Sequence, residues 1–124
     1  MTYQWDNKKP TAQMLGRWQP FHEGHYTLFK EIIKKTGQVC IQIRDVQGVD
    51  DNPFDFETVK KNIEDRLNPE FKGRFKIMIV PNITNICYGR GVGYKIEEIE
   101  VSKEIQEISA TKIRAKMREE GKLD

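Results

Sequence analysis

The sequence is poor in cysteine and has no long hydrophobic run, and each shortage excludes a class of protein. Its two cysteines, Cys40 and Cys87, lie far apart without CxxC spacing, so we expect reduced, buried thiols rather than a disulfide framework. No apolar run approaches the roughly 20 residues that span a bilayer. The polar first ten residues lack the apolar region of a signal peptide. We therefore expect a cytoplasmic protein with no membrane partner.

An excess of charge of one sign is also missing. The chain has 21 Lys and Arg against 19 Asp and Glu, a net charge of +2, whereas a duplex-binding protein normally shows a marked basic excess. We therefore expect no nucleic-acid partner. A hydrophobic content of 37% is enough for a folded core, and 124 residues fit one domain. No internal repeat is visible, so we predict a single domain over residues 1–124 with its core in residues 10–120.

Short apolar segments alternate between the patterns of strands and of helices. Strand-like runs end in glycine or proline, while the helix-like segments repeat apolar residues every three to four positions. Gly37 is expected to end the first helix and Asn68-Pro69 the second. The predicted strands cover residues 14–16, 39–43, 75–80, 86–88 and 96–101, and the predicted helices run from 25 to 37, from 52 to 69 and from 108 to 120, the last with Ile113 and Met117 facing inward.

This order predicts an α/β fold, a Rossmann-like, right-handed, doubly wound and mainly parallel five-stranded sheet flanked by helices. The apolar run at residues 39–43 indicates a strand covered on both faces. In such sheets ligands bind at the carboxyl ends of the strands, so the loop after the first strand is the first place to search.

That loop, residues 16–25, holds both histidines of the chain. Three residues apart at a helix start, His22 and His25 can lie on one side of the first turn, beside backbone N–H groups and the positive end of the helix dipole. Gly24 removes a side chain between them, so that a ligand could approach the backbone closely. The pattern favours binding of a phosphate.

The segment His22-x-Gly24-His25, after a strand and a Gly-Arg-Trp-Gln-Pro-Phe run, resembles the HxGH signature of the nucleotidylyltransferase superfamily, which has the cytidylyltransferase-like fold. Residues 108–114, Ile-Ser-Ala-Thr-Lys-Ile-Arg, resemble its IS-x-T-x-x-R signature, although Ala110 stands where Ser or Gly is common. The Gly-Arg-Trp-Gln-Pro-Phe run and Asn52-Pro53-Phe54 are similar to segments of archaeal-type NMN adenylyltransferases. This similarity favours ATP as donor, with CTP as the alternative.

The resemblance implies a nucleotidyltransferase of the EC 2.7.7 type that transfers a nucleoside monophosphate from a nucleoside triphosphate to a small phosphorylated acceptor and releases pyrophosphate. It implies His22, His25 and Arg114 as catalytic residues, and Mg²⁺ as a cofactor that bridges the phosphates. No protein side chain is expected to ligate the metal, and a homo-oligomer would complete the acceptor site. The expected nucleotide-binding residues are Gly16, Arg17, Trp18, Pro20, Phe21, Gly24, Gly89, Arg90, Ser109, Thr111 and Lys112.

Each motif also has a purely structural interpretation. The histidines could be a surface pair or half of a zinc site, and Ser109 and Thr111 could be helix caps. Lys112 and Arg114 could be solvated charges, and residues 89–93 a plain turn. Four acids follow the second strand and could either bind Mg²⁺ or serve as turn and helix-cap residues, namely Asp45, Asp50, Asp51 and Asp55.

Two further functions compete with transfer. The chain could be a non-catalytic nucleotide-binding or regulatory module of the same fold, although it retains both signatures. It could also correspond to part of a class I aminoacyl-tRNA synthetase, but it lacks the length and any basic surface for tRNA.

Overall fold

A computed structural model describes residues 3–91 and 93–123 as a parallel sheet flanked by helices, which confirms the α/β prediction. None of the helices in this part of the chain is long and apolar enough to cross a membrane. The strands are β1 (Ala12–Gly16), β2 (Val39–Arg44) and β3 (Phe75–Val80). The helices are α1 (Glu23–Thr36), α2 (Phe56–Phe71), α3 (Lys103–Gln106) and α4 (Ala110–Glu119).

The prediction of five strands is wrong, because the described residues form a sheet of three strands in the order β1-β2-β3. Residues 86–88 and 96–101 adopt no strand, and the side chains of Ile86 and Ile96 are 62% and 63% exposed. Glu97 instead forms an ion pair with Lys35 at the end of α1, at 3.1 Å. A short apolar run forms a strand only where a sheet edge pairs with its backbone. These two runs have no such pairing.

One face of the sheet forms the core, although Ile79 of β3 on this face is 45% exposed. In the parallel register Met14 lies beside Ile41 and Ile41 beside Ile77, and this face packs against apolar side chains of both α1 and α2. On the opposite face Cys40 and Gln42 remain half-exposed. The prediction of a second strand covered on both faces is therefore wrong for the described residues, because α1 and α2 both enter the same core. The doubly wound arrangement stays a prediction.

Each long helix has a cap that its sequence provides. Gly37 ends α1 in the left-handed conformation, with φ of 82°, and its N–H donates to the carbonyl of Ile33. The Asp55 side chain begins α2 by accepting from the N–H of Thr58 at 2.8 Å. The predicted end of α2 at Asn68-Pro69 is wrong, since the helix continues to Phe71. The ring of Phe71 packs edge-on against Phe29 at 5.1 Å, and this contact stabilises the last turn despite the proline.

The carboxyl-terminal part differs from prediction in three respects. The helix α3 was not predicted, and α4 begins at Ala110 rather than at residue 108, because the Ser109 side chain caps it. The side chain of α4 that is buried is Arg114, at 3% exposure, while Ile113 and Met117 are half-buried.

Cys87 is exposed and Cys40 half-buried, so the prediction of two buried thiols is wrong. Cys87 lies in the segment that joins no sheet.

Candidate functional site

A cavity of about 280 Å³ opens at the carboxyl end of β1, the end at which the sequence predicts a ligand site. Its wall combines apolar side chains from β1 and α1 with two arginines and an imidazole. It brings together five of the predicted site residues, Gly16, Arg17, Trp18, His25 and Arg114. The other residues of the wall are Leu15, Gln19, Leu28 and Ala110.

His22 and His25 cap α1 reciprocally. The Nδ1 atom of His22 accepts from the backbone N–H of Gly24 at 3.1 Å and from that of His25 at 3.4 Å. The backbone N–H of His22 in turn donates to Nδ1 of His25 at 3.1 Å. The two rings stack with their centroids 3.6 Å apart and an angle of 17° between their planes. The pair therefore satisfies N–H groups that every helix start leaves without an intrahelical partner.

These hydrogen bonds also fix the protonation of both rings. An Nδ1 atom that accepts a hydrogen bond carries no proton, so in each neutral ring the proton lies on Nε2. Burial lowers the pKa of His22, and it lowers the pKa of His25 to about 3, with a smaller contribution from the nearby His22. Both imidazoles are consequently neutral at pH 7. Each retains an Nε2–H that can donate to a phosphate oxygen.

The rings of His22 and Trp18 each pack closely against a glycine. A Cβ atom on Gly24 would lie 2.8 Å from Cε1 of His22, and one on Gly16 would lie 2.7 Å from the Trp18 ring. The indole N–H of Trp18 donates to the carbonyl of Gln42 at 3.1 Å, and its ring meets His25 edge-on at 4.7 Å. Trp18 has a φ of 54°, an unfavourable value for a residue with a side chain. Its packing therefore maintains a strained loop beside the histidines.

Arg114 reaches the site from α4 and is bound there by three partners. Its Nε donates to Oδ2 of Asp51 at 2.8 Å, and other N–H groups donate to the carbonyl of Gln19 and to the hydroxyl of Thr111. The second oxygen of Asp51 accepts from Arg118 at 2.7 Å. These hydrogen bonds from Arg118 and Arg114 lower the pKa of Asp51. Arg114 is thus a fixed cation in the cavity wall.

Sequence reasoning missed the residues that join the loop of the first strand to the start of α2. The Gln19 side chain is 2% exposed, and it bonds both the N–H and the carbonyl of Phe54, at 2.9 and 2.8 Å. Arg17 donates to Asn52 at 3.2 Å. No local sequence pattern predicts these contacts, because Arg17 and Asn52, like Gln19 and Phe54, are 35 residues apart.

The remaining predicted site residues lie outside the cavity wall. Ser109 accepts from the N–H of Lys112 at 3.4 Å as the cap of α4, and Lys112 itself is exposed. Phe21 belongs to the hydrophobic core. Gly89 and Arg90 are exposed in a segment without regular structure, and Val92, also in that glycine-rich run, lies outside the described residues. The predicted residues not brought into the wall are Pro20, Phe21, His22, Gly24, Gly89, Arg90, Ser109, Thr111 and Lys112.

Two of the four acids considered for Mg²⁺ use their carboxylates in other hydrogen bonds. Asp55 caps α2, and both oxygens of Asp51 accept from arginines. Among residues 3–91 and 93–123, no three His, Cys, Asp or Glu side chains form a group that could hold a metal ion. The described side chains therefore do not fit a metal site built by the protein alone.

Comparison with known proteins gives short matches to one kind of enzyme. No protein-family model matches the chain. Over 45 residues it is 44% identical to a nicotinamide-nucleotide adenylyltransferase of Methanococcus aeolicus, which covers 35% of this chain and 26% of that protein. Enzymes of the same name from two strains of Methanococcus maripaludis are 44% identical over 36 residues, or 29% of this chain and 21% of theirs. The matches thus span about a quarter of the relatives' length, and they support a relationship with nucleotidyltransferases.

Proposed function

We propose that the chain transfers a nucleoside monophosphate from a nucleoside triphosphate, with ATP favoured over CTP, to a small phosphorylated acceptor. The observation that carries the proposal is the stacked pair His22 and His25, whose Nδ1 atoms cap α1 and leave each neutral ring an Nε2–H to donate, with His25 in the wall of the cavity. The matches to nicotinamide-nucleotide adenylyltransferases favour an adenylyl donor.

The two neutral imidazoles suit a phosphate under attack. In the proposed step an anionic phosphate oxygen of the acceptor attacks the α-phosphorus, and the bond from that phosphorus to the α,β-bridging oxygen breaks. Negative charge grows on the oxygens around phosphorus and on the departing pyrophosphate. Hydrogen bonds from Nε2–H groups placed before the reaction stabilise that charge. No general base is required, because the attacking phosphate oxygen already carries its charge.

Cationic groups complete the proposed site. Arg17 and Arg114 lie in the cavity wall, and α4 begins there at Ala110, so its positive end adds to their attraction for phosphate. Mg²⁺ would enter with the triphosphate as part of the substrate and would neutralise part of its charge. The described residues would bind and orient this complex, which makes positioning and electrostatics the main sources of rate.

The first test combines binding with turnover. ATP and CTP, each with Mg²⁺, are titrated calorimetrically into the wild-type protein and into the double variant His22→Asn/His25→Asn. Asparagine can accept through Oδ1 where Nδ1 accepted, so the helix cap is retained while Nε2–H is lost. Pyrophosphate release is then measured with nicotinamide mononucleotide and a panel of other phosphorylated acceptors.

We expect the wild-type protein to bind one nucleotide and to release pyrophosphate with one acceptor. By analogy with the loss of an oxyanion donor, removing one Nε2–H should lower the rate about 10²- to 10³-fold. Glu31→Gln, on the exposed side of α1, is the matched control and should keep the wild-type rate. Nucleotide binding without pyrophosphate release from any acceptor would favour the non-catalytic module. A folded double variant with full turnover would contradict the proposed role of the histidines.

A further inference from the structure

We propose that Asp51 is a positioning residue, which sets the orientation of Arg114 and thereby places the guanidinium for the departing pyrophosphate. The inference rests on the proposed function, and it assigns to Asp51 a role that neither signature motif contains. It concerns an acid 63 residues away in sequence from the arginine it binds.

The geometry shows how closely Asp51 defines its partner. Arg114 is 3% exposed, and its Nε donates to Oδ2 of Asp51 at 2.8 Å. The other carboxylate oxygen binds Arg118, one helical turn further along α4, at 2.7 Å. One carboxylate thus bridges two cations on the same side of the helix. Both of its oxygens accept charge-assisted hydrogen bonds, the stronger and more directional kind.

Asp51 is itself located by the loop that carries the histidines. The side chain of its neighbour Asn52 accepts a hydrogen bond from Arg17. Two positions further on, the N–H and the carbonyl of Phe54 both form hydrogen bonds with the Gln19 side chain. The carbonyl of Gln19 also accepts from Arg114. The loop after β1, residues 51–54 and the start of α4 therefore form one connected unit. Asp51 is the charged group that attaches α4 to it.

Removing the carboxylate charge would leave Arg114 without its compensating charge. A nearly buried guanidinium without a counter-ion is unfavourable, and it is also repelled by Arg118 one turn away. The side chain would turn toward other acceptors or toward solvent. A displacement of about 1 Å at a positioned catalytic group costs up to about 10²-fold in rate.

The test is the steady-state kinetics of Asp51→Asn with the donor and acceptor found for the wild-type protein. Asparagine keeps the shape and one acceptor oxygen but removes the charge. We expect kcat to fall about 10- to 100-fold while KM for the nucleotide changes less than about threefold, since Arg114 acts on charge that develops in the transition state. Asp51→Glu restores the charge at a shifted position and should lose about three- to tenfold. Glu31→Gln should match the wild type.

A second cycle separates positioning from a merely structural role. If Asp51 acts through Arg114, then adding Asp51→Asn to Arg114→Gln should lower kcat no further. A structural role would instead lower the folded fraction, followed by circular dichroism, and leave kcat per folded molecule unchanged. Wild-type kcat in folded Asp51→Asn, or an equal loss in both backgrounds, would overturn the proposal. If Asp51→Asn does not fold, wild-type kcat in Asp51→Glu overturns it.

The same variants distinguish failure of this inference from failure of the proposed function. If the wild-type protein binds ATP but transfers nothing, the comparison is made on the dissociation constant of Mg²⁺–pyrophosphate, the leaving group that Arg114 is proposed to bind. There we expect binding about tenfold weaker in Asp51→Asn, by the same displacement of Arg114. Unchanged affinity would overturn the role of Asp51. A wild-type protein that neither binds nor reacts overturns both proposals.

Discussion

At the scale of single residues, the histidine pair serves the helix and the site with different atoms of the same rings. The Nδ1 atoms accept from backbone N–H groups of the first turn of α1, so they cannot also bind a ligand. The Nε2–H groups remain for an anion. Helix capping and phosphate binding by the histidine pair are therefore compatible in this geometry.

The pH dependence of stability should reveal the neutral state of His25. Its pKa of about 3 in the folded protein lies below the value of about 6.5 in the unfolded chain. The stabilisation is fully present above pH 6.5 and is lost as the pH falls, because the unfolded chain takes up a proton that the folded ring does not. We expect the free energy of unfolding to fall by up to about 1.4 kcal/mol per pH unit between pH 6.5 and 5 for this one group.

Urea unfolding at pH 7.5, 6 and 5 measures that slope. The control is His25→Asn, which can accept the hydrogen bond of His22 but cannot titrate, and its slope should be shallower. An identical slope in the two proteins would mean that His25 is not the group responsible.

The close contact at Gly16 yields a second prediction at this scale. In Gly16→Ala the new methyl group would lie 2.7 Å from the Trp18 ring, which is fixed by its hydrogen bond to Gln42. We expect a loss of about 1 to 3 kcal/mol in the free energy of unfolding, the usual cost of overpacking. The control for denaturant unfolding is Gly89→Ala, where the new Cβ would meet no non-neighbouring atom within 4 Å. Equal stability of the two variants would show that Trp18 can move aside.

At the scale of elements, the site depends on connections between loops more than on the helices and strands themselves. The histidines and Trp18 lie close together in sequence, in and beside the loop that joins β1 to α1. Long-range hydrogen bonds of Arg17, Gln19 and Arg114 attach residues 51–54 and α4 to them. Loss of one of these connections should therefore affect both stability and the arrangement of the cavity.

Gln19→Leu tests the central connection. The substitution preserves approximate size but leaves the N–H and carbonyl of Phe54 without their partner, and an unsatisfied buried group costs about 1 to 3 kcal/mol. Because Phe54 is half-exposed and water can replace part of the loss, we expect about 2 kcal/mol in total by denaturant unfolding. Gln13→Leu, at an exposed position of β1, should change stability by less than about 0.5 kcal/mol. Similar losses in both would contradict a special role for Gln19.

At the scale of the whole molecule, the burial of apolar side chains is unevenly distributed. The core joins one face of the sheet to α1 and α2, whereas residues 82–101 carry exposed apolar side chains such as Tyr88 and Tyr94. Backbone hydrogen bonds of this segment include the local ones from Ile83 to Pro81 and from Tyr94 to Gly91. Ile99 packs against the core and is an exception to this exposure. The homo-oligomer expected to complete the acceptor site stays a prediction.

Limited proteolysis should locate this difference. We expect trypsin to cleave first after Arg90 or Lys95, both exposed, because proteases attack exposed backbone with few tertiary contacts. Mass spectrometry of the first fragments identifies the bond. Lys61 in α2, also exposed but within a regular helix, provides the internal comparison. First cleavage after Lys61 would show that α2 opens more readily than this segment.

Local sequence determined the elements whose residues interact with near neighbours. The helical repeat from Leu28 to Ile33, the Gly37 stop and the Asp55 cap predicted α1 and the start of α2, because periodicity and capping act within a few residues. The two histidines at a helix start likewise marked the candidate site. The end of α2 was mispredicted, since packing of Phe71 against Phe29 outweighed the local effect of Pro69.

Only the tertiary structure decided what depends on distant partners. The apolar runs at residues 86–88 and 96–101 have strand-like composition, but a strand exists only where another backbone pairs with it, and sequence pattern alone does not show that pairing. The same is true of the charge balance at Arg114, which appears in the sequence as an ordinary helix cation. Arg114 can be buried because Asp51, 63 residues away, balances its charge, and the Gln19 carbonyl, 95 residues away, accepts one of its hydrogen bonds.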